Sequence, residues 1–217
     1  MRRKILITSL LLLAAGPAAM QVAVSEVHIS INLGAFPDLQ PVPGYPVYYA
    51  PQMDSNYFFY DGRYWVYQDD NWYASNWYNG PWDLVDPEAV PLYVLRVPVR
   101  YYRRPPAYFR VWRADAPPRW DQHWGPGWAQ HHRNWDHWNR QAAPKPAPLP
   151  TYQRQYSGPR YPAVKEQQEL HSRNYQYQPH EEHAHAPPPP QKKDDKKRAD
   201  RRDEDHDHGH DNDHDGR

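Results

Sequence analysis

Large apolar and polar positions alternate most sharply over residues 56–82, NYFFYDGRYWVYQDDNWYASNWYNGPW, where twelve side chains are Tyr, Trp or Phe. Asp61-Gly62, Asp69-Asp70-Asn71 and Asn79-Gly80-Pro81 punctuate the run. Asp-Gly between two aromatic runs predicts a two-residue type I′ turn, because both of its central residues need positive φ. Pairing outward from that turn sets Tyr60 opposite Arg63, Phe59 opposite Tyr64, Phe58 opposite Trp65 and Tyr57 opposite Val66. Aromatic cross-strand pairs of this kind hold small sheets together. Period-two alternation puts Phe58, Tyr60, Trp65 and Tyr67 on one face and Tyr57, Phe59 and Tyr64 on the other. A third strand is predicted near Trp72–Trp77, after the Asp-Asp-Asn turn.

The flanks extend this pattern. Residues 22–33 alternate Val27, Ile29, Ile31 and Leu33 against His28, Ser30 and Asn32, which predicts a half-buried strand. Pro37, Pro41, Pro43, Gly44 and Pro46 enforce an extended loop into a short strand at Val47–Tyr49. Leu92–Tyr102 is predicted to close the sheet as an edge strand, since Pro98 excludes a central position. Beyond Arg103-Arg104-Pro105-Pro106, Trp120, Trp124, Trp128, Trp135 and Trp138 are spaced for one helical face. Gly125-Pro126-Gly127 should divide this stretch into helices over 118–124 and 128–141, with the Trp face docked on the sheet. From Ala142 onward the chain is Pro-, Gln- and Tyr-rich and then highly charged, which predicts disorder; residues 162–174 form at most a short helix with little to pack against. The expected fold is therefore mostly β: a small antiparallel sheet of hairpins over 22–102, a Trp-faced helical segment over 103–141 and a disordered tail over 142–217.

Residues 1–20 read as a signal peptide, with a basic start at Arg2, Arg3 and Lys4, an apolar stretch from Ile5 to Ala15, and small residues from Gly16 to Ala19. Eleven apolar residues fall short of the roughly 20 that a spanning helix needs. The expectation is a periplasmic or secreted protein of a Gram-negative envelope, its mature chain starting between Ala19 and Glu26, with no transmembrane span after cleavage.

Charge sharpens the division. The formal net charge is +0, but residues 21–95 carry nine acids against one base, Arg63, whereas residues 96–140 carry nine Arg against three Asp. Such asymmetry predicts docking of the basic segment on the acidic one, through acids such as Asp69, Asp70 and Asp83, or an anionic partner for the basic half. The chain has no cysteine, which excludes disulfides and thiol chemistry.

The run YFFYDGRYWVYQ…NWY…WYNGPW, followed by VRYYRRPP and by PPRWDQHWGPGW, resembles a family of exported, Tyr/Trp-rich proteobacterial proteins of unknown function. The resemblance spans roughly residues 22–140. It implies an envelope location and no activity, cofactor or site residue.

Four patterns bear on chemistry. In the tail, His206, His208, His210 and His214 alternate with acids that include Asp207 and Asp211. Imidazole and carboxylate together suit zinc, nickel or copper, and the alternative is a solvated tail that takes up metals adventitiously. His180, His183 and His185 form a second cluster. Tyr60, Trp65, Tyr67 and Trp72 form a candidate stacking platform for sugars if one face of the sheet is left open. The Arg/Trp stretch at 96–140 has the makings of a site for an anionic envelope polymer, and an exported location argues against nucleic acid. No arrangement supports catalysis: there is no Ser-His-Asp spacing, phosphate loop, His-Glu-x-x-His or Cys, and His123, His131, His132 and His137 fall on the polar side of the Trp-faced helix. The sequence thus points to a non-catalytic interaction or structural protein of the envelope, partnered by an anionic polymer or another envelope protein and requiring no cofactor. The alternative is a periplasmic metal-binding protein acting through its tail.

Overall fold

The computed structural model describes residues 31–180. Six strands form one antiparallel meander in sequence order, β1 (Gln40–Pro41), β2 (Tyr48–Tyr49), β3 (Asn56–Tyr60), β4 (Arg63–Gln68), β5 (Asn71–Ser75) and β6 (Asp83–Val85). The β3–β4 hairpin has the expected register, Tyr60 against Arg63 through Tyr57 against Val66. Asp61 and Gly62 both have positive φ, 50° and 88°. The β4–β5 hairpin repeats the device, with Gln68 paired to Asn71 across Asp69 and Asp70, also at positive φ.

Side-chain alternation divides the rings as the pattern requires. Phe58, Tyr60, Trp65, Tyr67 and Trp72 belong to one buried cluster, and Tyr57, Phe59, Tyr64, Val66 and Tyr73 to another. The first face is covered by helices α1 (Leu92–Leu95), α2 (Trp120–His123) and α3 (Gly125–His131) and the turns between them. Trp120, Trp128 and Trp135 are buried there, with Trp124 and Trp138 packed beside them. Trp120 meets Tyr67 edge-on at 5.2 Å, and its Nε1 donates to the Leu95 carbonyl at 2.9 Å. The Trp face is therefore docked on the sheet.

Several expectations are corrected. Leu92–Tyr102 is not a strand. Pro91 precedes α1, a 3-10 turn spans Val99–Tyr101, and Val94, Leu95, Val97 and Val99 are buried against the rings. A short run of branched residues fits helix or strand, and here covering the aromatic face outweighs β propensity. The edge is β6. Of the strand expected over 22–33, only residues 31–33 are described, and they lie outside the sheet. Gly125-Pro126-Gly127 does not separate two helices by a gap: Gly125, at φ 84°, opens α3 one residue after the α2 cap. α3 ends at His131, so turns rather than helix carry Trp135 and Trp138 inward. Helical residues outnumber strand residues, so a mostly β description holds for the sheet and not for the layers around it.

The largest correction concerns residues 142–180, which are ordered. They form a strap of 3-10 turns and one helix, α4 (Val164–Asn174), over the second face of the sheet. Gln153 is completely buried and Gln167 nearly so. The Trp77 indole donates to the Gln167 carbonyl at 3.1 Å. Tyr78 donates its hydroxyl to the Tyr156 carbonyl, and Tyr161 donates to the Gly80 carbonyl, each at 2.6 Å. The strap ends on the β3–β4 turn, where Tyr175 and Tyr177 lie over Gly62 and the buried Asp61 carboxylate accepts from the Tyr177 hydroxyl at 2.8 Å. Its attachments are side-chain hydroxyls, amides and rings in place of a strand ladder, which is why composition alone reads it as disorder.

Candidate ligand-binding cleft

The β4–β5 turn holds two consecutive non-glycine residues at positive φ. Asp69 and Asp70 sit at φ 49° and 65°, a region that costs a non-glycine residue roughly 1–2 kcal/mol, with Asp among the more tolerant. The turn aims the Asp70 carboxylate back across its own hairpin. Its Oδ1 accepts from the hydroxyls of Tyr67 at 2.7 Å and Tyr108 at 2.5 Å, and lies 3.0 Å from Nε2 of His123. The two tyrosine oxygens are 2.6 Å apart, and the Tyr108 ring stacks on the His123 imidazole at 4.6 Å. Four elements meet in this cluster: β4, its turn, the 3-10 turn Ala107–Val111, and α2.

Electrostatics follow from that geometry. Partial burial opposes ionisation of Asp70, but the Tyr108 and Tyr67 hydroxyls and the neighbouring His123 outweigh it, so its carboxyl is held below the ordinary value. Burial pushes both tyrosine hydroxyls well above theirs; the bonds to Tyr108 and Asp70 add to it at Tyr67, and at Tyr108 the bond to Asp70 adds to it while the one to Tyr67 opposes it. At neutral pH the cluster is a carboxylate held by two neutral hydroxyls.

Beside it opens a cleft of about 990 Å³. Ile31, Leu33, Met53 and Pro106 supply apolar wall; Asn32, Gln52 and Gln68 supply amides; Asp54, Asp69 and Asp70 supply carboxylates; and Tyr108 presents a half-exposed ring. The floor is fixed by Asn56. Its Nδ2 donates to the carbonyls of Tyr67 and Arg104 at 2.9 and 2.7 Å, while its Oδ1 accepts from the Arg104 amide at 2.8 Å. Those bonds pin the loop after Tyr102 to β3 and set Arg104 beside Asp54, Nε to Oδ1 3.0 Å, on the exposed rim. The arrangement offers hydrogen-bond acceptors, amides and one ring around a space of small-ligand size.

The stacking platform read from the sequence is not open. Tyr60, Trp65, Tyr67 and Trp72 are all buried beneath the helical layer; only the Tyr67 hydroxyl reaches the cleft. The metal candidates His206, His208, His210, His214, Asp207 and Asp211 lie outside the described residues, as do residues 1–20, read from the sequence as a signal peptide, and His183 and His185. His180 is described, and its backbone amide and Nδ1 contact the Asp61 carboxylate at 2.9 and 3.1 Å. Among the described residues no group of three or more His, Asp or Glu side chains is placed to hold a metal ion, and no helix is long and apolar enough to cross a membrane.

The charge split has a partial structural counterpart. Arg104 of the basic segment pairs with Asp54, but Asp83 meets Arg63 of its own acidic segment at 3.5 Å and Asp70 takes a histidine instead of an arginine. Arg100, Arg103, Arg110, Arg119 and Arg133 stay exposed. Nor do the histidines all face water, since His132 stacks on Trp128 at 4.2 Å and His123 on Tyr108. The sequence marks Asp-Asp-Asn as a turn and its acids as docking partners for arginine, not as part of a ligand cleft. The usable signal was two consecutive carboxylates where positive φ is needed and no glycine is supplied. Tyr108 and His123 carried none, because their approach depends on how the helical layer folds back. Compared with known proteins, the chain matches no family model, no curated protein and no solved structure.

Proposed function

We propose that this chain is a non-catalytic binding module of the cell envelope that holds a hydroxyl-rich ligand, of the glycan type, in the cleft beside the β4–β5 turn. The observation that carries the reading is the composition of that cleft: three carboxylates and four side-chain amides, the buried Asn56 among them, beside one half-exposed tyrosine ring in about 990 Å³. Carboxylates accept from vicinal hydroxyls, amides donate and accept, and a ring offers a face for the C–H side of a sugar. The acidic lining disfavours an anionic polymer at this site; the exposed arginines of 96–140 remain the surface for one. The envelope location rests on the N-terminal pattern, and the non-catalytic reading rests on a sequence without Ser-His-Asp spacing, phosphate loop, His-Glu-x-x-His or Cys.

Calorimetric titration of the full chain with neutral and amino-bearing oligosaccharides tests it. Saturable binding that is lost in Asp54→Asn and Asp69→Asn chains of unchanged melting temperature is the expected result. Binding unaltered by both substitutions removes the cleft from consideration.

A second reading is favoured by the alternating His and Asp over residues 203–215, a donor set suited to zinc, nickel or copper. Metal titration of the full chain beside one ending at His180 decides it, because equal uptake by both excludes the tail.

A further inference from the structure

The strap delivers the end of the described chain to one end of β4. His180 is seated on the β3–β4 turn, its backbone amide and Nδ1 held by the buried Asp61 carboxylate at 2.9 and 3.1 Å. The cleft acids Asp69 and Asp70 stand on the turn at the other end of that strand. Six strand residues separate the two turns, about 20 Å at roughly 3.3 Å per residue.

The cleft is short of cations. Its lining carries Asp54, Asp69 and Asp70 against one Arg, Arg104, and that guanidinium is engaged by Asp54. Asp69 accepts from the Gln68 amide at 3.1 Å, and Asp70 takes two hydroxyls and a histidine. Neither has a Lys or Arg partner among the described residues, and both are exposed. A cleft lined by one sign of charge concentrates its field on an incoming counter-charge. Ile31, Met53 and Pro106 add apolar wall for the methylene stems of basic side chains.

The sequence after His180 is divided by charge. Residues 192–202, KKDDKKRADRR, hold seven Lys or Arg against three Asp, whereas residues 203–215 hold seven acids and no Lys or Arg. The twelve residues from His180 to Lys192 span about 40 Å when extended and about 20 Å on average as a random chain. Either length reaches from one turn to the other.

We propose that the chain's own basic segment, residues 192–202, docks in this cleft and competes there with the cleft's ligand. Charge and reach select this occupant: two exposed carboxylates lack a cation, this block is the only run of Lys and Arg after His180, and its tether matches the gap. Residues 21–30, which lead into Ile31 on the cleft wall, carry Glu26 and no Lys or Arg, so charge disfavours them. A short tether gives an effective concentration on the order of millimolar. A segment that binds as a separate peptide with Kd near 0.1 mM then keeps the cleft roughly nine-tenths occupied. Docking rests on the cleft of the proposed function and not on the identity of its ligand.

Carbodiimide, which joins a carboxylate to an amine in contact with it, tests the docking on the full chain at micromolar concentration. Lys192, Lys193, Lys196 and Lys197 are four of the seven lysines in the chain. Peptide mass spectrometry should find them joined to Asp54, Asp69 or Asp70 within monomers, with the yield falling severalfold in about 0.5 M salt. A full-length chain carrying Lys192→Gln, Lys193→Gln, Lys196→Gln and Lys197→Gln should bind a fluorescent peptide of residues 190–202 about tenfold more tightly than the parent, whose own segment competes. Lysines joined only to acids outside the cleft, or equal peptide affinity in the two chains, overturn the proposal. Links to the cleft found only between copies overturn it in favour of a second chain's segment. Oligosaccharide titration is read separately: links without sugar binding leave the docking and remove the glycan, and sugar binding without links does the reverse.

Discussion

Replacing Gln153 by Met separates hydrogen bonding from volume at the most buried polar point of the strap. Gln153 is fully enclosed, and Met fills nearly the same space without donors or acceptors. Two buried groups lose their partner outright, the Tyr64 hydroxyl and the Tyr78 amide. The Asn76 carbonyl and Tyr152 hydroxyl belong to residues that still reach the surface. An orphaned buried group costs about 1–3 kcal/mol, and the apolar gain of Met returns about 1 kcal/mol. The expected loss is therefore roughly 1–5 kcal/mol, or about 3–15 °C in Tm for a folded region of this size. Urea unfolding followed by Trp emission measures it, with the slope unchanged if the native and unfolded states keep their extents. A companion Gln153→Glu chain keeps acceptors for both groups but buries a charge. Burial raises that carboxyl above its unfolded value, so its penalty is present at neutral pH and relieved as pH falls through the raised folded value. A Gln153→Met chain within about 0.5 kcal/mol of the parent would refute the view that this amide holds the strap.

Three further outcomes follow from the same geometry. Gly62→Val places a β-branched residue at φ 88°, with a Cβ 3.3 Å from Tyr175 Cε1 and 3.4 Å from Tyr177 Cδ1; thermal unfolding should show a loss of about 2–4 kcal/mol, and an unchanged Tm contradicts the turn assignment. His171 is held below its ordinary value of 6.5 by burial, so the unfolded chain takes up a proton before the folded one. Stability should be complete above pH 6.5 and decline as pH falls through and below it, and His171→Gln should flatten that decline in a Tm-versus-pH series. Trp120→Ala removes a fully buried ring that anchors the helical layer; a cost of about 3–5 kcal/mol and a gain in hydrophobic-dye binding are expected, and a dye-silent, equally stable chain denies that this layer is a cover.

The sheet was legible because its information is local. Asp61-Gly62 names its turn, the turn sets the register, and the register assigns each ring to a face. The Trp spacing after residue 120 was legible for the same reason, although turns and not a long helix deliver Trp135 and Trp138. What stayed hidden depends on distant surfaces. Leu92–Tyr102 carries no periodicity strong enough to choose helix over strand, and the choice is made by the aromatic face beneath it. The strap is poor in aliphatic residues, so much of its order comes from hydroxyls and amides with distant partners, 116 residues apart for Tyr177 and Asp61. One clue was present: a sheet with rings on both faces needs two covers, and residues 107–141 can serve as only one. The cleft was hidden more deeply, since Asp69 and Asp70 are visible in the sequence but Tyr108 and His123 reach them only through the folded helical layer.

The use of tyrosine in place of phenylalanine in this cysteine-free core leads to a last test. Tyr57, Tyr64, Tyr78, Tyr161 and Tyr175 each spend their hydroxyl on a named partner, four of them on a backbone carbonyl at 2.6 Å and Tyr64 on Gln153. These bonds fix the register of irregular segments that have no ladder to align them, a task that a ring alone performs poorly because stacking tolerates sliding. Tyr102 is the contrast: its ring is buried among Phe58, Tyr67 and Phe109, yet its hydroxyl has no partner among the described residues. If hydroxyls are the aligning device, Tyr→Phe should split these sites by sign. Tyr57→Phe orphans the buried Tyr78 carbonyl and should cost about 1–2 kcal/mol, whereas Tyr102→Phe removes an unpaired buried polar atom and should be neutral or stabilising by up to about 1 kcal/mol. Hydrogen exchange adds a readout that ring packing does not predict: Tyr57→Phe should loosen amide protection around Tyr78 and Gly80, and Tyr102→Phe should leave that loop as protected as in the parent. Equal costs at both positions, with protection unchanged, would mean that the hydroxyls are incidental and that ring area alone holds the covers in place.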